Sequence, residues 1–237
     1  MVRKMPDDVY LPRLRLPSAV HDLAVRLGAE KNLARSTVKL TQSGRMKRQL
    51  GKESWMSFKA TQTISTSACA FEWHARFGPF GLVTACDALV DGEGRLDVMA
   101  LGFIPIARTE RTPALMRGEL MRYLAELAWV PDAILLNTGL RWRVDGPDRL
   151  AVAAGSGEAA VEVMLSLDND GRIANAFAPD RPRSATPPIL PTSWRGRFSD
   201  YREHVGYWLP FAGEVAWVID GKEDVYWQGK IKTWANH

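Results

Sequence analysis

A small group of polar residues has the types that acid–base chemistry requires, namely Glu72, His74, Asp87, Arg122 and Glu126. A carboxylate pair near a histidine can transfer protons if burial raises the pKa of one carboxyl while the other stays ionised. Gln62 and Tyr226 are further ligand-binding candidates, since the first is a lone amide on an apolar strand face and the second a large ring with a polar tip. No catalytic residue is assigned.

Each of these candidates also has a purely structural interpretation. Glu72 and His74 would lie on a solvated strand face, and Asp87 would form a structural salt bridge. Arg122 and Glu126 would pair along a helix, where residues four apart are neighbours. Gln62 would bind the backbone or a buried water.

Motifs that would define a reaction are absent from the sequence. It contains no Gly-x-Ser-x-Gly elbow, no glycine-rich phosphate loop and no zinc signature. The four histidines are far apart, and no Cys-x-x-Cys pair occurs. We therefore expect no metal and no cofactor, and we interpret Cys69 and Cys86 as free, buried, inert thiols.

The element that must position Arg122 and Glu126 is a long helix predicted over residues 112–130. Thr112 is a suitable N-cap, Pro113 fits the first helical position, and Pro131 ends the helix. An apolar stripe at helical spacing is formed by Met116, Leu120, Leu124 and Leu127. The helix therefore presents one face to a core.

A second helix face carries Glu119, Arg122 and Glu126, three and four residues apart. These side chains form a solvated ladder, in which Arg122 pairs with Glu119 and Glu126 and each pair stabilises the helix by about 0.2–0.5 kcal/mol, or else Arg122 or Glu126 points into the sheet and lines a pocket. The pattern leaves both interpretations open.

Alternating strands surround this helix. Over Cys69 to Phe77 the odd-numbered residues are apolar, whereas Glu72 and His74 face the other way. A four-residue turn at 78–81 would then pair Glu72 with Asp87 across a hairpin. Two facing carboxylates require a cation, a shared proton or water. We expect Arg122 to supply that cation through an ion pair with Asp87.

The rest of the chain also alternates like β-sheet. Further strands are predicted at 38–44, 45–50, 55–64, 82–90, 95–101, 140–145, 149–154, 159–167, 172–178, 194–205, 207–211, 213–220 and 225–233. A helix with Ser18 as N-cap is predicted near the N-terminus, and a Pro-rich linker at 179–191. The sequence thus predicts an α+β fold: a large curved, mostly antiparallel sheet, or half-barrel, wrapped around a central helix, with residues 1–34 as an N-terminal helical segment and 35–237 as one curved-sheet domain.

Composition excludes several classes of protein. Hydrophobic residues at 46% and charged residues at 24% argue against disorder and predict a soluble globular chain. The longest apolar runs fall far short of the roughly 20 residues that span a bilayer. The formal charge of +4 is scattered, so we expect no nucleic-acid partner. The first residues lack the apolar core of a secretory signal, which predicts a cytoplasmic location if the N-terminus is native.

A set of spaced residues resembles a bacterial family known only as a domain of unknown function. It comprises Trp55-x-x-Phe58-x-Ala60-x-Gln62, Phe71-x-Trp73, Asp87 with Asp91-Gly92-x-Gly94, Glu119-Leu120-x-Arg122-Tyr123-Leu124-Ala125-Glu126, Pro131, Trp142, Arg181, Pro210, Trp217 and Tyr226. The match runs from about Pro17 to Ile231. The architecture is also similar to the lipoprotein-localisation half-barrels, and that resemblance implies an apolar cavity that holds acyl chains.

Three functions are compatible with these features. The first is the binding of an apolar or amphipathic, lipid-like small molecule between sheet and helix, supported by nine tryptophans. The second is an enzyme that uses the carboxylate, histidine and arginine cluster. The third is an interaction module with exposed Trp and Tyr near the C-terminal hairpins.

Overall fold

The computed structural model describes residues 16–29, 36–101, 104–109, 111–184 and 188–237. The predicted N-terminal helical segment therefore lies partly outside the described residues. Within it, helix α1 spans Ser18–Leu27, and Ser18, predicted as the N-cap, is the first helical residue after Pro17.

In the described ranges, thirteen strands form one sheet. They are β1 (Thr37–Lys47), β2 (Trp55–Ser65), β3 (Phe71–Phe77), β4 (Val83–Val90), β5 (Glu93–Ala100), β6 (Ile104–Thr109), β7 (Arg141–Gly146), β8 (Arg149–Ala154), β9 (Val161–Leu167), β10 (Ile173–Pro182), β11 (Pro191–His204), β12 (Tyr207–Ile219) and β13 (Lys222–Asn236). The remaining helices are α2 (Pro113–Ala125), followed by a 3-10 turn at Glu126–Trp129, and α3 (Ala133–Leu136); a short 3-10 turn spans Gly157–Ala159.

The strand order is β6-β5-β4-β3-β2-β1-β13-β12-β11-β10-β9-β8-β7, and the strand pairs are antiparallel. Strands that follow each other in sequence are neighbours in the sheet, except β6 and β7, which lie at opposite edges. The two halves of the sheet meet where β1 pairs with β13. The two sheet edges, β6 and β7, are connected through the segment that contains α2. The predicted α+β fold, a curved antiparallel sheet with a central helix, is confirmed.

Helix α2 connects the two halves of the sheet. It packs on β4 and β5 on one side and on β8, β9 and β10 on the other. Its start is as predicted, because the Thr112 hydroxyl accepts a hydrogen bond from the Leu115 amide at 3.1 Å and Pro113 follows the cap. Such a cap stabilises a helix by about 1 kcal/mol.

The buried residues of α2 are not limited to the predicted apolar stripe. Glu119 is buried as well, and the predicted helix 112–130 tightens into a 3-10 turn after Ala125. Apolar and charged faces of the helix are therefore both enclosed, since strands of both sheet halves surround it.

The β3–β4 hairpin differs from the predicted pairing by one residue. Phe77 pairs with Val83 and Trp73 with Asp87, whereas Glu72 pairs with Ala88. The connection is five residues long, 78–82, instead of four. A shift of one residue moves a side chain to the other face of a sheet. Asp87 therefore lies on the concave face with Trp73, and Glu72 does not.

Several predicted strand boundaries were wrong. The strands predicted at 38–44 and 45–50 form the single strand β1, and those predicted at 207–211 and 213–220 form β12. Gly213 is an interior residue of β12. The Trp129 ring packs over it, and a Cβ there would be 3.0 Å from the ring. Strand β6 and helix α3 were not predicted, because neither has a clear apolar period.

The Pro-rich segment was also misinterpreted as a linker throughout. Arg181 pairs with Thr192 and Pro182 with Pro191, so both ends of the segment belong to strands β10 and β11. Proline is compatible with extended backbone near a strand end, where its missing amide leaves no ladder bond unmade.

A buried hydrogen-bond cluster closes one end of the interior. The Tyr207 hydroxyl donates to Asp132 at 3.0 Å, and the Asn236 amide donates to the same carboxylate oxygen at 2.5 Å. These residues lie before α3, at the start of β12 and at the end of β13. Helix α1 packs on α3, β7 and β12 beside them.

Gly94 allows the first turn of α2 to approach β5, which gives a test of the helix position. A Cβ at Gly94 would lie 2.9 Å from the Leu115 side chain and 3.0 Å from the Met116 backbone nitrogen. We expect Gly94→Ala to lower the free energy of unfolding by about 1–3 kcal/mol, because the helix backbone cannot move aside freely. Chemical denaturation measures this change.

Gly196→Ala is the matched control. Its Cβ would meet its nearest atoms at ordinary contact distances of 3.9 and 4.0 Å. We expect this variant to be neutral, or more stable by up to about 1 kcal/mol, since alanine restricts the unfolded chain. Equal stability of both variants would contradict the close approach of α2 to β5.

Candidate functional site

A cavity of about 110 Å³ and a larger cleft of about 440 Å³ lie between α2 and the concave face of the sheet. The two spaces share five lining residues, Met46, Trp73, Asp87, Arg181 and Tyr226. Most of the lining is apolar. The charged residues of the lining come from both halves of the sheet, from α2 and from the turn after it: Lys47, Arg48, Asp87, Glu119, Arg122, Glu126, Arg181, Arg183, Arg197 and Glu214. This arrangement is typical of a binding site for a small organic molecule.

Arg122 is the centre of the polar part of the site. Its Nη1 donates to Asp87 Oδ2 at 2.5 Å and its Nε donates to Glu126 Oε1 at 2.8 Å. The guanidinium also lies over the Phe71 and Trp73 rings, 4.7 and 5.4 Å from their centroids. The predicted ion pair between Asp87 and Arg122 is thus present, and it is largely enclosed by aromatic rings.

A chain of amide hydrogen bonds supports Glu126 from behind. Trp73 Nε1 donates to Gln42 Oε1 at 2.8 Å, Gln42 Nε2 donates to Gln62 Oε1 at 3.3 Å, and Gln62 Nε2 donates to Glu126 Oε2 at 2.5 Å. Gln62 therefore binds two side chains, which corrects the structural interpretation in which it binds the backbone or a water. The network runs from β3 through β1 and β2 to the C-terminal end of α2.

The charge of Arg122 is stabilised by its neighbours. Burial acts against the charged form, but the negative charges of Glu126, Asp87 and Glu119 outweigh it and raise the pKa of the guanidinium above its ordinary value. Removal of either bonded carboxylate would leave a buried charge with less compensation, which is costly in a medium of low dielectric constant.

Glu119 and Asp87 form a carboxyl pair beside Arg122. Burial, followed by the charge of Asp87, raises the pKa of Glu119 well above its ordinary value, although Arg181 and Arg122 act in the opposite direction. Within the described part of the chain, Asp87 Oδ1 and Glu119 Oε2 accept no hydrogen bond. A proton on Glu119 would satisfy both oxygens, because the protonated carboxyl can donate to Asp87.

Aromatic rings line the opposite side of the site. Trp194 donates its indole N–H to the Tyr226 hydroxyl at 3.0 Å, and the Tyr226 ring stacks on Trp217 with centroids 6.0 Å apart. Trp129 and Trp227 line the cavity further in. Large aromatic rings thus cover the side of the site opposite α2.

The structure brings together only part of the predicted set. Asp87, Arg122, Glu126 and Tyr226 line the cavity, and Gln62 lies directly behind Glu126.

Glu72 and His74 lie on the outer face of β3, with side chains 55% and 56% exposed, and hydrogen-bond to each other at 3.2 Å. The one-residue change in hairpin pairing accounts for this separation, because it places Asp87 on the face opposite Glu72.

Several charged residues of the lining were missed from the sequence, and two of them, Arg181 and Glu119, are buried. Arg181 lines both spaces but falls in the segment interpreted as a linker, and Glu119 was assigned only to a helix-surface ladder. Arg181 belongs to the spaced residues that carried the family resemblance, which was the available signal for it. Nothing in the local pattern of Glu119 distinguishes it from a surface glutamate.

The two cysteines are free, as predicted, but each is half-buried instead of buried. Burial raises the pKa of both thiols, which favours the unreactive protonated form. No cluster of three or more His, Cys, Asp or Glu suited to a metal ion occurs in the described ranges. Among the helices that the structure describes, none is both long enough and apolar enough to cross a bilayer.

The open curved sheet with a helix on its concave face is a LolA-like fold. A LolA superfamily protein from Nitrosomonas europaea aligns over 92% of this chain and 93% of its own, with a TM-score of 0.50 and 10% sequence identity. A β-barrel-like protein of the family DUF1849 from Brucella abortus aligns over 86% of this chain and 98% of its own, with a TM-score of 0.22 and 10% identity.

The model of a family of unknown function, DUF6920, matches residues 14–235, and the chain belongs to this family. The resemblance inferred from the spaced residues to a family of unknown function with this architecture is thereby confirmed. No match to a curated protein was found.

The ion pair between Arg122 and Asp87 predicts a large effect on stability. We expect Asp87→Asn and Arg122→Ala each to lower the free energy of unfolding by roughly 3 kcal/mol, because the first leaves the enclosed Arg122 with less compensation and the second leaves Asp87 and Glu126 without their cation. The double variant is expected to lose less than the sum of the two single losses. Chemical denaturation of the four proteins gives these values.

The exposed pair Arg143 and Glu162 is the control for this experiment, with side chains 53% and 47% exposed. Arg143→Ala is expected to cost at most about 1 kcal/mol. Unchanged melting temperatures in both Asp87→Asn and Arg122→Ala would show that the central pair does not stabilise the fold.

The raised pKa of Glu119 predicts a pH-dependent effect of Glu119→Gln. Because the folded wild type retains a proton that the unfolded chain releases, its stability falls as pH rises from the ordinary pKa of a carboxyl towards the raised one, by up to about 1.4 kcal/mol per pH unit. Glutamine has no such proton to lose. The variant should therefore match the wild type near pH 4 and exceed its melting temperature at pH 8.

Glu203→Gln, at an exposed position of β11, should show no such divergence. Thermal melts of the three proteins from pH 4 to pH 8 make the comparison. A Glu119→Gln variant that is less stable than the wild type at pH 8 would mean that the carboxylate is ionised and held by Arg181.

Proposed function

We propose that this protein binds an apolar or amphipathic, lipid-like small molecule between α2 and the concave face of the sheet. The observation that carries the proposal is the cleft of about 440 Å³, whose lining is mainly apolar and includes Met46, Met56 and Trp217. Binding sites for small organic molecules usually have volumes of about 300–1,000 Å³. The similarity to lipoprotein-localisation half-barrels supports the same function.

The enzyme alternative has less support from the geometry. It required a histidine beside the carboxylates, but His74 lies on the outer face, and the described lining of the cavity and cleft contains no histidine. Asp87 and Glu126 are both bonded to Arg122, so they are held in place as ionic partners and are poorly suited to exchange protons with a substrate.

The interaction-module alternative required exposed aromatic residues in the C-terminal hairpins. All nine tryptophans lie in the described ranges, and each is buried or half-buried. The tyrosines of the C-terminal hairpins are likewise buried or half-buried. The aromatic content therefore faces the interior, which favours a ligand over a protein partner.

The cytoplasmic location stays a prediction.

Native mass spectrometry of the freshly purified protein tests the proposal directly. We expect a mass above that of the polypeptide, and organic extraction should release the bound compound. The same cleft should accept the neutral fluorescent probe phenylnaphthylamine, whose emission rises in an apolar site. A clean apo mass together with no probe binding would overturn the proposal.

A substitution at Gly118 separates loss of the cleft from loss of the fold. Gly118 lies on α2 and lines the cleft, and a Cβ there would meet only Arg181 Nε, at 3.8 Å. We expect Gly118→Leu to weaken probe binding at least about ten-fold, because its side chain occupies the cleft. The helix itself should gain roughly 0.5–1 kcal/mol, since glycine is a poor helix former.

Gly118→Ala is the matched control. It gives the same gain in helix propensity with little added volume, so probe affinity should stay near that of the wild type while the melting temperature rises. Fluorescence titration and thermal melts measure the two properties. Equal probe affinity in the Leu and Ala variants would place the probe outside this cleft.

A further inference from the structure

Arg181 is the buried cation of the site that is least occupied by protein partners. It is 9% exposed and lines both the cavity and the cleft. Its Nη2 lies 3.8 Å from Glu119 Oε1, which is too far for a hydrogen bond. Its buried Nε has no hydrogen-bond partner among the described residues.

Arg122, another arginine of the cavity lining, differs in this respect. Arg122 donates hydrogen bonds to two carboxylates at 2.5 and 2.8 Å. Arg181 instead stacks on aromatic rings, 4.6 Å from the Trp194 centroid and 5.8 Å from that of Trp217. The rings hold the plane of the guanidinium in place and leave its N–H edge available. A buried N–H group without an acceptor is costly, so this edge is suited to an incoming anion.

The groups around Arg181 add to this suitability. Glu119 Oε1 lies 3.8 Å from Arg181 Nη2, and burial followed by the charge of Asp87 raises the pKa of Glu119, so this carboxyl compensates the charge of Arg181 less than a hydrogen-bonded carboxylate would. The Tyr226 hydroxyl accepts from Trp194, so its own proton is free to donate to a ligand. Arg181 is thus a cation, with a hydroxyl donor near it, where the small cavity and the apolar cleft meet.

We propose that Arg181 binds the acidic headgroup of an anionic amphiphile, a carboxylate or a phosphate monoester, whose hydrocarbon chain occupies the cleft. This inference rests on the proposed function and names the chemical class of its ligand. A planar guanidinium donates to two oxygens of either headgroup at once. The Met and Trp side chains contact the chain, and the arginine selects the charged end.

Arg172 shows why stacking alone does not define such a site. It also lies on an aromatic ring, 3.8 Å from the Trp208 centroid, and its Nε has no partner within the described chain. However, its Nη1 forms an ion pair with Asp170 at 3.1 Å, and it does not belong to the lining of the cavity or the cleft. Arg172 is therefore a matched control for Arg181.

Displacement of phenylnaphthylamine from the full-length protein tests the inference. The competitors share a ten-carbon chain and differ in headgroup: decanoate, decyl phosphate, decanol and decyltrimethylammonium. In the wild type we expect decanoate or decyl phosphate to displace the probe at concentrations about ten-fold or more below those of decanol and of the cation. The better of the two anions identifies the headgroup, and acetate and inorganic phosphate, which lack a chain, should displace nothing.

Arg181→Gln should remove this preference. It keeps much of the side-chain volume without the charge, so decanoate and decyl phosphate should weaken about 10- to 100-fold while decanol and the neutral probe bind as in the wild type. Unchanged probe binding shows that the cleft is intact. Arg172→Gln should keep the wild-type order of competitors.

Two results overturn the inference, and they differ from each other. If the wild type binds the probe but decanol competes as well as the anions, the site binds apolar chains without an anionic headgroup, and the proposed function stands alone. If the probe does not bind and no compound co-purifies, the proposed function fails and the inference fails with it. The first result needs only the wild type, so it holds even if Arg181→Gln does not fold.

Discussion

The burial of the Arg122 guanidinium between Asp87 and Glu126 is the interaction on which the interior of this protein depends. It joins α2 to β4, and through Glu126 and Gln62 to β2. An arginine enclosed by Phe71 and Trp73 is tolerated only when carboxylates balance its charge. The helix can therefore occupy only one register against the sheet, because a shift of one residue would leave these charges unpaired.

The topology explains why so much depends on one helix. The two halves of the sheet meet only through β1 and β13, and their outer edges are connected through the segment that contains α2. Since α2 packs on strands of both halves, it sets the distance between them and hence the width of the cleft. Hydrogen bonds of Tyr123 to Ser65 and of Trp129 to Pro210 attach the same segment to β2 and β12. The shape of the cleft is thus a direct consequence of how the helix is held.

The polar groups in the cleft divide into two kinds. The network from Trp73 to Asp87 is occupied by internal hydrogen bonds and serves the fold. Arg181 and Tyr226 keep donors available beside apolar rings, as the proposed binding of an anionic headgroup requires. The same interior thereby combines a rigid polar support with a largely apolar space beside Arg181, which suits the proposed amphiphile.

The sequence by itself determined the class of fold and the cap and start of α2, because local propensity and alternation depend on near neighbours. It also predicted the ion pair between Asp87 and Arg122, but from a hairpin pairing that the structure shifts by one residue. Only the tertiary structure decided which face each candidate occupies. A loop one residue longer than expected placed Asp87 with Trp73 and left Glu72 outside, since side chains alternate along a strand. The surroundings of Arg181 likewise depend on the tertiary structure, because β10 packs against α2 and the tryptophans come from distant segments. No local pattern in the sequence encodes these contacts.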